Sequence, residues 1–189
     1  MRPAEPPGAR RLFFALLPLE AERSALAEAV EPAVRSVEGR AVPPGNYHVT
    51  LAFLGSVDAG RLTQLELLCS TVAASCAAPP PLAFTALAHW ERSEILAAVC
   101  TDESPVLLEL TRALRCALVA AGFSPDLKPF RAHVTVARKV RDAQPRALAA
   151  GVRWSCAALA LMESRSGGRG SVYSVVESQL LVKAENLRG

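Results

Sequence analysis

Aromatic residues, histidines and long apolar segments are all scarce in this chain. Of its 189 residues, 5% are aromatic and three are histidines, although 51% are hydrophobic. That hydrophobic content is enough for a sizeable core, which excludes a disordered tail. No apolar run approaches the ~18 residues of a membrane span, and the first ten residues, with three prolines, lack the apolar centre of a signal peptide. The sequence predicts a soluble, cytoplasmic domain with no membrane contact.

Cysteine pairs and a strong net charge are also missing. The five cysteines include no C-x-x-C pair, and the formal net charge is +3. Reduced thiols are expected for such a set, whereas a zinc site is not. The mild positive charge suits an anionic ligand but is too weak to coat nucleic acid by charge alone. We therefore expect no metal or other cofactor. We also expect no DNA partner and a monomer.

Hydrophobic periodicity and turn residues divide the chain into strands and helices. Residues 1–10 are expected to form a flexible arm, and residues 11–189 a single domain. Strands are predicted at 12–17, 47–54, 82–91, 94–100, 131–138, 153–162 and 172–182, and helices at 19–37, 58–77 and 104–121. A Gly/Ser/Arg loop is expected over 164–171. Because the strands cluster late in the chain, the pattern favours an α+β fold with helices on one face of the sheet over a doubly wound parallel sheet.

Two of the three histidines begin the same short pattern. The first copy is His48-Val49-Thr50-Leu51, and the second is His133-Val134-Thr135-Val136. Side chains alternate along a strand, so each histidine shares a face with its threonine, roughly ~6.5–7 Å away. Histidine titrates near neutral pH. The repeat therefore predicts a cleft for acid–base chemistry on an anion, whereas His89 has no such threonine and is interpreted as structural.

The same alternation assigns the neighbouring residues to faces. On the core face we expect Val49, Leu51, Phe53, Val134 and Val136. Arg131 has the parity of His133, and its guanidinium fork suits phosphate oxygens. Arg138 has the opposite parity, so it reaches the site only if the strand ends, twists or bulges there.

Two opposed imidazoles suit an in-line displacement at phosphorus. One takes a proton from the attacking water, while the other gives a proton to the departing oxygen. Hydroxyls and a cation stabilise the charge on the remaining oxygens, and no acidic metal cluster is visible. A cyclic phosphodiester fits because its leaving oxygen stays tethered. Its vicinal diol implies ribose, so RNA ends are favoured over DNA.

The residues around both motifs resemble the two-histidine phosphoesterases. More narrowly, they resemble the RNA 2′,3′-cyclic phosphodiesterases, formerly described as 2′-5′ RNA ligases. The similarity is carried by 11–16, by 42–55, by 129–138, and by 161–165 followed by Tyr173. It implies a bilobal α+β fold with two pseudo-symmetric antiparallel sheets, helices on the outer faces and a central cleft.

The resemblance also implies roles for individual residues. His48 would be the proton donor to the leaving oxygen, and His133 the proton acceptor that activates water. Thr50 and Thr135 would hold phosphate oxygens, and Arg138 matches the family's arginine after the second motif. The implied substrates are RNA 3′ ends or small nucleotides with a 2′,3′-cyclic phosphate, and the implied product is a 2′-phosphate.

Three other functions remain open. A nucleotide- or RNA-binding module of the same fold is one, although both histidines and both threonines are intact. Minor 2′-5′ RNA ligation by the reverse reaction is another, although abundant water favours hydrolysis. An RNA-binding scaffold would need aromatic residues on the sheet face, and none is expected beside Thr50 or Thr135 on their own faces.

Overall fold

The computed structural model describes residues 8–76, 78–101, 104–167 and 170–181. Within these ranges the elements are β1 (Ala9–Leu17), α1 (Glu20–Ser36), β2 (Arg40–Ala41), β3 (Val49–Asp58), α2 (Leu62–Ser75), β4 (Leu82–Trp90), β5 (Ile95–Cys100), α3 (Pro105–Ala120), β6 (His133–Arg138), β7 (Arg146–Trp154), β8 (Ala158–Gly167) and β9 (Gly170–Leu180). No helix in this part of the chain is long and apolar enough to cross a bilayer.

The strands form two antiparallel sheets. The first sheet has the order β3-β1-β8-β9, and the second has the order β2-β6-β5-β4-β7. Helix α2 packs against β8 and β9 of the first sheet, and α1 packs against β7 of the second. The expected α+β fold with two antiparallel sheets is confirmed. The two histidine motifs belong to different sheets, because the first enters β3 and the second begins β6.

Strand β1 fixes the middle of the first sheet by burying both of its faces. Leu12, Phe14 and Leu16 point into the main core, whereas Phe13 and Ala15 pack on the opposite face with residues of β8. A strand buried on both faces is expected to read as a continuous apolar run, as this one does. Each fully buried Leu or Phe contributes about 1.5–3 kcal/mol to folding. β1 is thus a rigid support for the cleft described below.

Helix α3 begins where the sequence supplies a cap. The hydroxyl of Ser104 accepts a hydrogen bond from the backbone N–H of Leu107 at 3.2 Å, and Pro105 occupies the first turn. Both residues satisfy the geometry of a helix N-terminus. The apolar stripe of α3 is then buried against the rest of the core, with Leu107, Leu114 and other leucines fully enclosed.

The sequence prediction misses β7. The predicted strand 153–162 joins the last two residues of β7, a turn and the first half of β8. β7 is an edge strand, and most of its side chains are exposed. An exposed edge strand rich in alanine has no alternating apolar pattern, so periodicity does not reveal it.

The expected loop over 164–171 is also wrong for the residues that the structure describes. β8 continues to Gly167 and β9 begins at Gly170, so 164–167 and 170–171 belong to paired strands, whereas 168–169 lie outside the described residues. Ser164 and Ser166 line a cleft instead of packing in a core, which explains the missing apolar signal.

The predicted N-terminal arm ends earlier than expected. Ala9 and Arg10 already pair with β3, so that part of the prediction is wrong. Residues 1–7 of the arm, and Ala77 and Val182 at the ends of two predicted elements, lie outside the described residues.

Candidate active site

A cleft of about 400 Å³ is lined by residues of both sheets. Its walls include five polar side chains that the sequence singled out: His48, Thr50, His133, Thr135 and Arg138. The structure therefore brings the two H-x-T motifs together around one cavity, although they are far apart in the chain.

A β-bulge shapes the first motif. In the pairing of β3 with β1, Leu51 is an extra residue between Thr50 and Ala52. Leu51 and Ala52 both point into the core, and Phe53, which is 38% exposed, lines the cleft. The prediction that Phe53 faces the core is wrong, because a bulge reverses the alternation of side chains beyond it. The expectation that no aromatic residue shares the face of Thr50 is wrong for the same reason.

An equivalent bulge shapes the second motif. In the pairing of β6 with β5, Val136 is the extra residue between Thr135 and Ala137. Val136 and Ala137 are both buried, and Arg138 turns into the cleft. The bulge that Arg138 requires to reach the site is therefore present. Both motifs now have the same form, with a cleft residue five positions after the histidine: Phe53 in the first and Arg138 in the second.

Each histidine ring is held by a backbone carbonyl two residues earlier. The Nδ1 atom of His48 is 2.7 Å from the carbonyl oxygen of Asn46, and that of His133 is 2.8 Å from the carbonyl oxygen of Arg131. A carbonyl only accepts hydrogen bonds, so Nδ1 carries the hydrogen in both rings and donates it. This fixes the tautomer and leaves Nε2 of each imidazole as the atom that can take or give a proton.

The environment disfavours a positive charge on both rings. Burial lowers the pKa of His48 to about 4, the Asn46 carbonyl opposes this, and the positive charges of Arg138 and His133 add to the lowering. Burial also lowers the pKa of His133, against the effect of its carbonyl partner, and Arg131 and Arg138 lower it further. Both imidazoles are therefore neutral at pH 7, and a bound anion would favour their protonation.

Aromatic side chains pack against both histidines. The ring centroid of Phe13 lies 5.0 Å from that of His48, and the ring centroid of Trp90 lies 4.4 Å from that of His133. Such contacts restrict ring rotation without offering a competing hydrogen bond. Together with the carbonyl bonds, they hold both imidazoles in fixed orientations.

Arg131 and His89 lie in other surroundings. The guanidinium carbon of Arg131 is 5.8 Å from the Trp90 ring centroid, so its side chain stacks on Trp90, while its carbonyl holds His133. A contact between Arg131 and substrate stays a prediction. The Nε2 atom of His89 donates to the carbonyl of Val140 at 2.8 Å, which agrees with its interpretation as structural.

Sequence reasoning did not single out several residues of the cleft wall. Ser166 lines it, and so do Arg11, Phe13, Ser164 and Tyr173, which entered only through the segments that carry the family resemblance. Phe13 and Ser164 reach the cleft because of the way their strands pair within the sheet. No local sequence pattern predicts this position.

Metal-binding residues are not grouped in the part of the chain described above. No cluster of three or more His, Cys, Asp or Glu residues there could hold an ion. The five cysteines, all within the described residues, form no disulfide, and burial raises the pKa of Cys69 to about 12. A buried thiol with this pKa is neutral and unreactive at pH 7.

Comparisons with known proteins agree with this architecture. The family model of the 2′-5′ RNA ligase superfamily matches residues 18–168. An RNA 2′,3′-cyclic phosphodiesterase of Geobacillus stearothermophilus is 35% identical over 140 residues, which cover 72% of this chain and 44% of that protein. The chain thus matches less than half the length of that relative.

Two matches from Escherichia coli extend the comparison. The RNA 2′,3′-cyclic phosphodiesterase of strain K12 is 30% identical over 140 residues, which cover 71% of this chain and 74% of that protein. The crystal structure of E. coli LigT complexed with 3′-AMP has the same fold, with a TM-score of 0.78 and 23% identity over 93% of this chain and 99% of that one. Since the family model spans most of the sequence, the chain belongs to the 2′-5′ RNA ligase superfamily.

Proposed function

We propose that this protein hydrolyses 2′,3′-cyclic phosphates at RNA 3′ ends or on small nucleotides to 2′-phosphates. The observation that carries the proposal is the pair of imidazoles in one cleft, each with Nδ1 bound to a carbonyl and Nε2 left for proton exchange. The names of the two curated relatives support the same reaction.

His133 would act as the proton acceptor. Its Nε2 takes a proton from a water molecule as the water oxygen attacks phosphorus. A base must be unprotonated to do this, and the lowered pKa of His133 keeps it neutral at pH 7. Its packing against Trp90 and its bond to the Arg131 carbonyl fix the direction from which the water approaches.

His48 would act as the proton donor. Its Nε2 gives a proton to the ribose 3′ oxygen as the bond from that oxygen to phosphorus breaks, which leaves a 2′-phosphate. This assignment follows the family resemblance. Because the pKa of His48 is about 4, its imidazolium would form by uptake of a proton from solvent when the phosphodiester anion binds and stabilises the positive charge. The donor is therefore formed only when a phosphate is present.

The remaining cleft residues would hold the phosphoryl group. Thr50 and Thr135 each offer a hydroxyl on the wall that carries their histidine. Arg138 offers a charged fork to the oxygens that gain negative charge as water attacks. Phe53 lines the same cavity with a partly exposed ring, which suits stacking against the flat face of a base.

Other expectations belong to the same proposal. The reaction would need no metal, the natural substrate would be RNA or a nucleotide and not DNA, and the protein would act as a monomer in the cytoplasm. Cysteines without disulfides suit a reducing compartment.

The test is turnover of 2′,3′-cyclic AMP, with the product identified by its chromatographic retention against 2′-AMP and 3′-AMP standards. The wild type should form 2′-AMP. His48→Ala and His133→Ala should each lower turnover by roughly ~10²–10⁴-fold, the scale of losing a general acid or base. His89→Asn is the matched control, because its ring bonds to Val140 away from the cleft, and it should retain full turnover.

The same assay separates the alternatives. Saturable binding of 2′,3′-cyclic AMP without any product would favour a binding module. Incubation of a cyclic-phosphate RNA with a second RNA bearing a 5′-hydroxyl tests ligation, and joined product exceeding hydrolysis would favour a ligase. We expect 2′-phosphate ends as the main product in both assays.

A further inference from the structure

Tyr173 connects the two sheets at the cleft. It lies on β9 of the first sheet, whereas Arg138 closes β6 of the second. The Nη2 atom of Arg138 donates a hydrogen bond to the hydroxyl oxygen of Tyr173 at 3.1 Å, and both side chains line the cleft. A residue remote in sequence from both histidine motifs thus holds the cation that follows the second one.

In this hydrogen bond Arg138 is the donor and the Tyr173 hydroxyl oxygen is the acceptor. A guanidinium has only donors, so the tyrosine oxygen must be the acceptor. The hydroxyl hydrogen of Tyr173 is then not used by Arg138 and can point to an acceptor in the cleft. A hydrogen bond with one charged partner is also stronger than a neutral one, so it restrains the long Arg138 side chain effectively.

The Tyr173 ring adds a second restraint. Its centroid is 5.1 Å from that of His48 at an interplanar angle of 80°, and 5.4 Å from that of Phe13 at 77°. These edge-to-face contacts fix the ring at two points, so the position of the hydroxyl is determined. Tyr173 therefore places Arg138 relative to His48, although the two belong to different sheets.

We propose that Tyr173 is a positioning residue of this site, which holds the Arg138 guanidinium in the direction of the phosphoryl oxygens and acts on the reaction through Arg138. The proposal rests on the proposed phosphodiesterase function. A tyrosine that merely fills the cleft wall would contribute through its ring alone, so removal of the hydroxyl distinguishes the two roles.

A double-mutant cycle tests this coupling. Tyr173→Phe keeps the ring and removes the hydroxyl, so it should fold normally. With 2′,3′-cyclic AMP, it should lower kcat/KM by about tenfold, the scale of one hydrogen bond to a charged group. The loss should appear mainly in KM, because Arg138 meets the phosphate before and during the reaction. In the Arg138→Ala background, the same change should alter kcat/KM less than about twofold. Equal losses in both backgrounds, or no loss in either, would overturn the proposal.

The pH dependence of kcat/KM distinguishes the effect of the Tyr173 hydroxyl from the effect of its ring. Tyr173→Phe should leave the pH dependence of kcat/KM unchanged, because the ring still shields His48. Tyr173→Ala should move the limb that reports His48 to higher pH, since water can reach the imidazole. Val172→Ala is the control, because Val172 is its neighbour on β9 and is 58% exposed. It should match the wild type in every measurement.

The affinity for inorganic phosphate tests the role of Tyr173 independently of turnover. If the wild type hydrolyses no cyclic phosphate, the proposed function fails, but the cycle can be measured as dissociation constants for phosphate by calorimetry. Tyr173→Phe should weaken phosphate binding severalfold with Arg138 present and not in its absence. The same weakening without Arg138 would show that Tyr173 does not act through the arginine.

Discussion

The protonation of His48 offers a quantitative prediction. The unfolded chain protonates this histidine near its ordinary pKa of 6.5, whereas the folded protein does so at about 4, mainly because the ring is buried. Between these two values the unfolded state binds the proton and the folded state does not. Stability contributed by neutral His48 is therefore complete above pH 6.5 and is lost as the pH falls towards 4.

The size of this effect follows from the difference between the two pKa values. At 1.36 kcal/mol for each pH unit, the loss from His48 reaches about 3 kcal/mol at pH 4. His48→Asn removes the titrating group. We expect the free energy of unfolding of the wild type, relative to this variant, to fall by about that amount between pH 7 and pH 4, measured by urea denaturation monitored with circular dichroism.

Ring NMR resonances report the same proton directly. The chain has three histidines, so single substitutions assign each resonance. Without an anion, the His48 resonance should stay in its neutral position down to about pH 5. Added sulfate, whose charge is constant in this range, should raise the pKa of His48. For each unit by which this pKa rises, sulfate should bind about tenfold more tightly to the protein with protonated His48 than to the protein with neutral His48.

An ordinary titration of His48 would refute this reasoning. A midpoint between pH 6 and 7 in the anion-free protein would mean that burial does not control the pKa of the ring, and His48 would not need an anion in order to take up its proton from solvent. A midpoint that sulfate leaves unchanged would mean that no anion binds near His48.

Three further predictions concern Glu163, Arg138 and the need for a metal ion. The pKa of Glu163 is lowered to about 2, chiefly by its hydrogen bond from Arg10 and also by Arg165. The stabilising effect of ionised Glu163 should be complete above pH 4.5 and decline towards pH 2. Glu163→Gln should therefore lower the free energy of unfolding by about 1–2 kcal/mol at pH 7 and by less at pH 3, measured by urea titration. Arg138→Ala should raise KM for 2′,3′-cyclic AMP by about tenfold or more with little change in melting temperature, because it removes a charged phosphate contact on the cleft wall. EDTA dialysis should leave turnover unchanged; activity lost on dialysis and restored by a divalent cation would contradict a reaction driven by the two histidines alone.

Local sequence signals account for much of the fold. Continuous apolar runs with clear turn residues mark strands such as β1 and β5, and Ser104 with Pro105 marks the start of α3. β7 and the hairpin of β8 and β9 were missed or shortened, because their residues lie at an edge or line an open cleft. Periodicity records burial, so strands that bury little leave little trace in the sequence.

The candidate site divides in a similar way. His48 and His133 could be paired from sequence, because both begin the same H-x-T pattern. The cleft positions of Phe53 and Arg138 could not be derived from strict alternation, since each depends on a bulge that exists only through pairing with a neighbouring strand. The equal spacing of the two residues from their histidines is a signal that could have indicated the shared geometry. Tyr173 depends on contact between sheets, which no local pattern encodes.

The assignment of the donor role to His48 and the acceptor role to His133 is tested most directly by changing the leaving group. We would compare 2′,3′-cyclic AMP with a 3′-deoxyadenosine 2′-phosphodiester whose leaving group is 4-nitrophenolate, an ion that departs without a proton, and whose missing 3′-hydroxyl leaves water as the nucleophile. The loss of turnover caused by His48→Ala should largely disappear with the nitrophenyl substrate, whereas the loss caused by His133→Ala should persist, because water must still be activated. Equal losses for both variants on both substrates, or recovery of His133→Ala alone, would contradict the assignment of His48 as donor and His133 as acceptor.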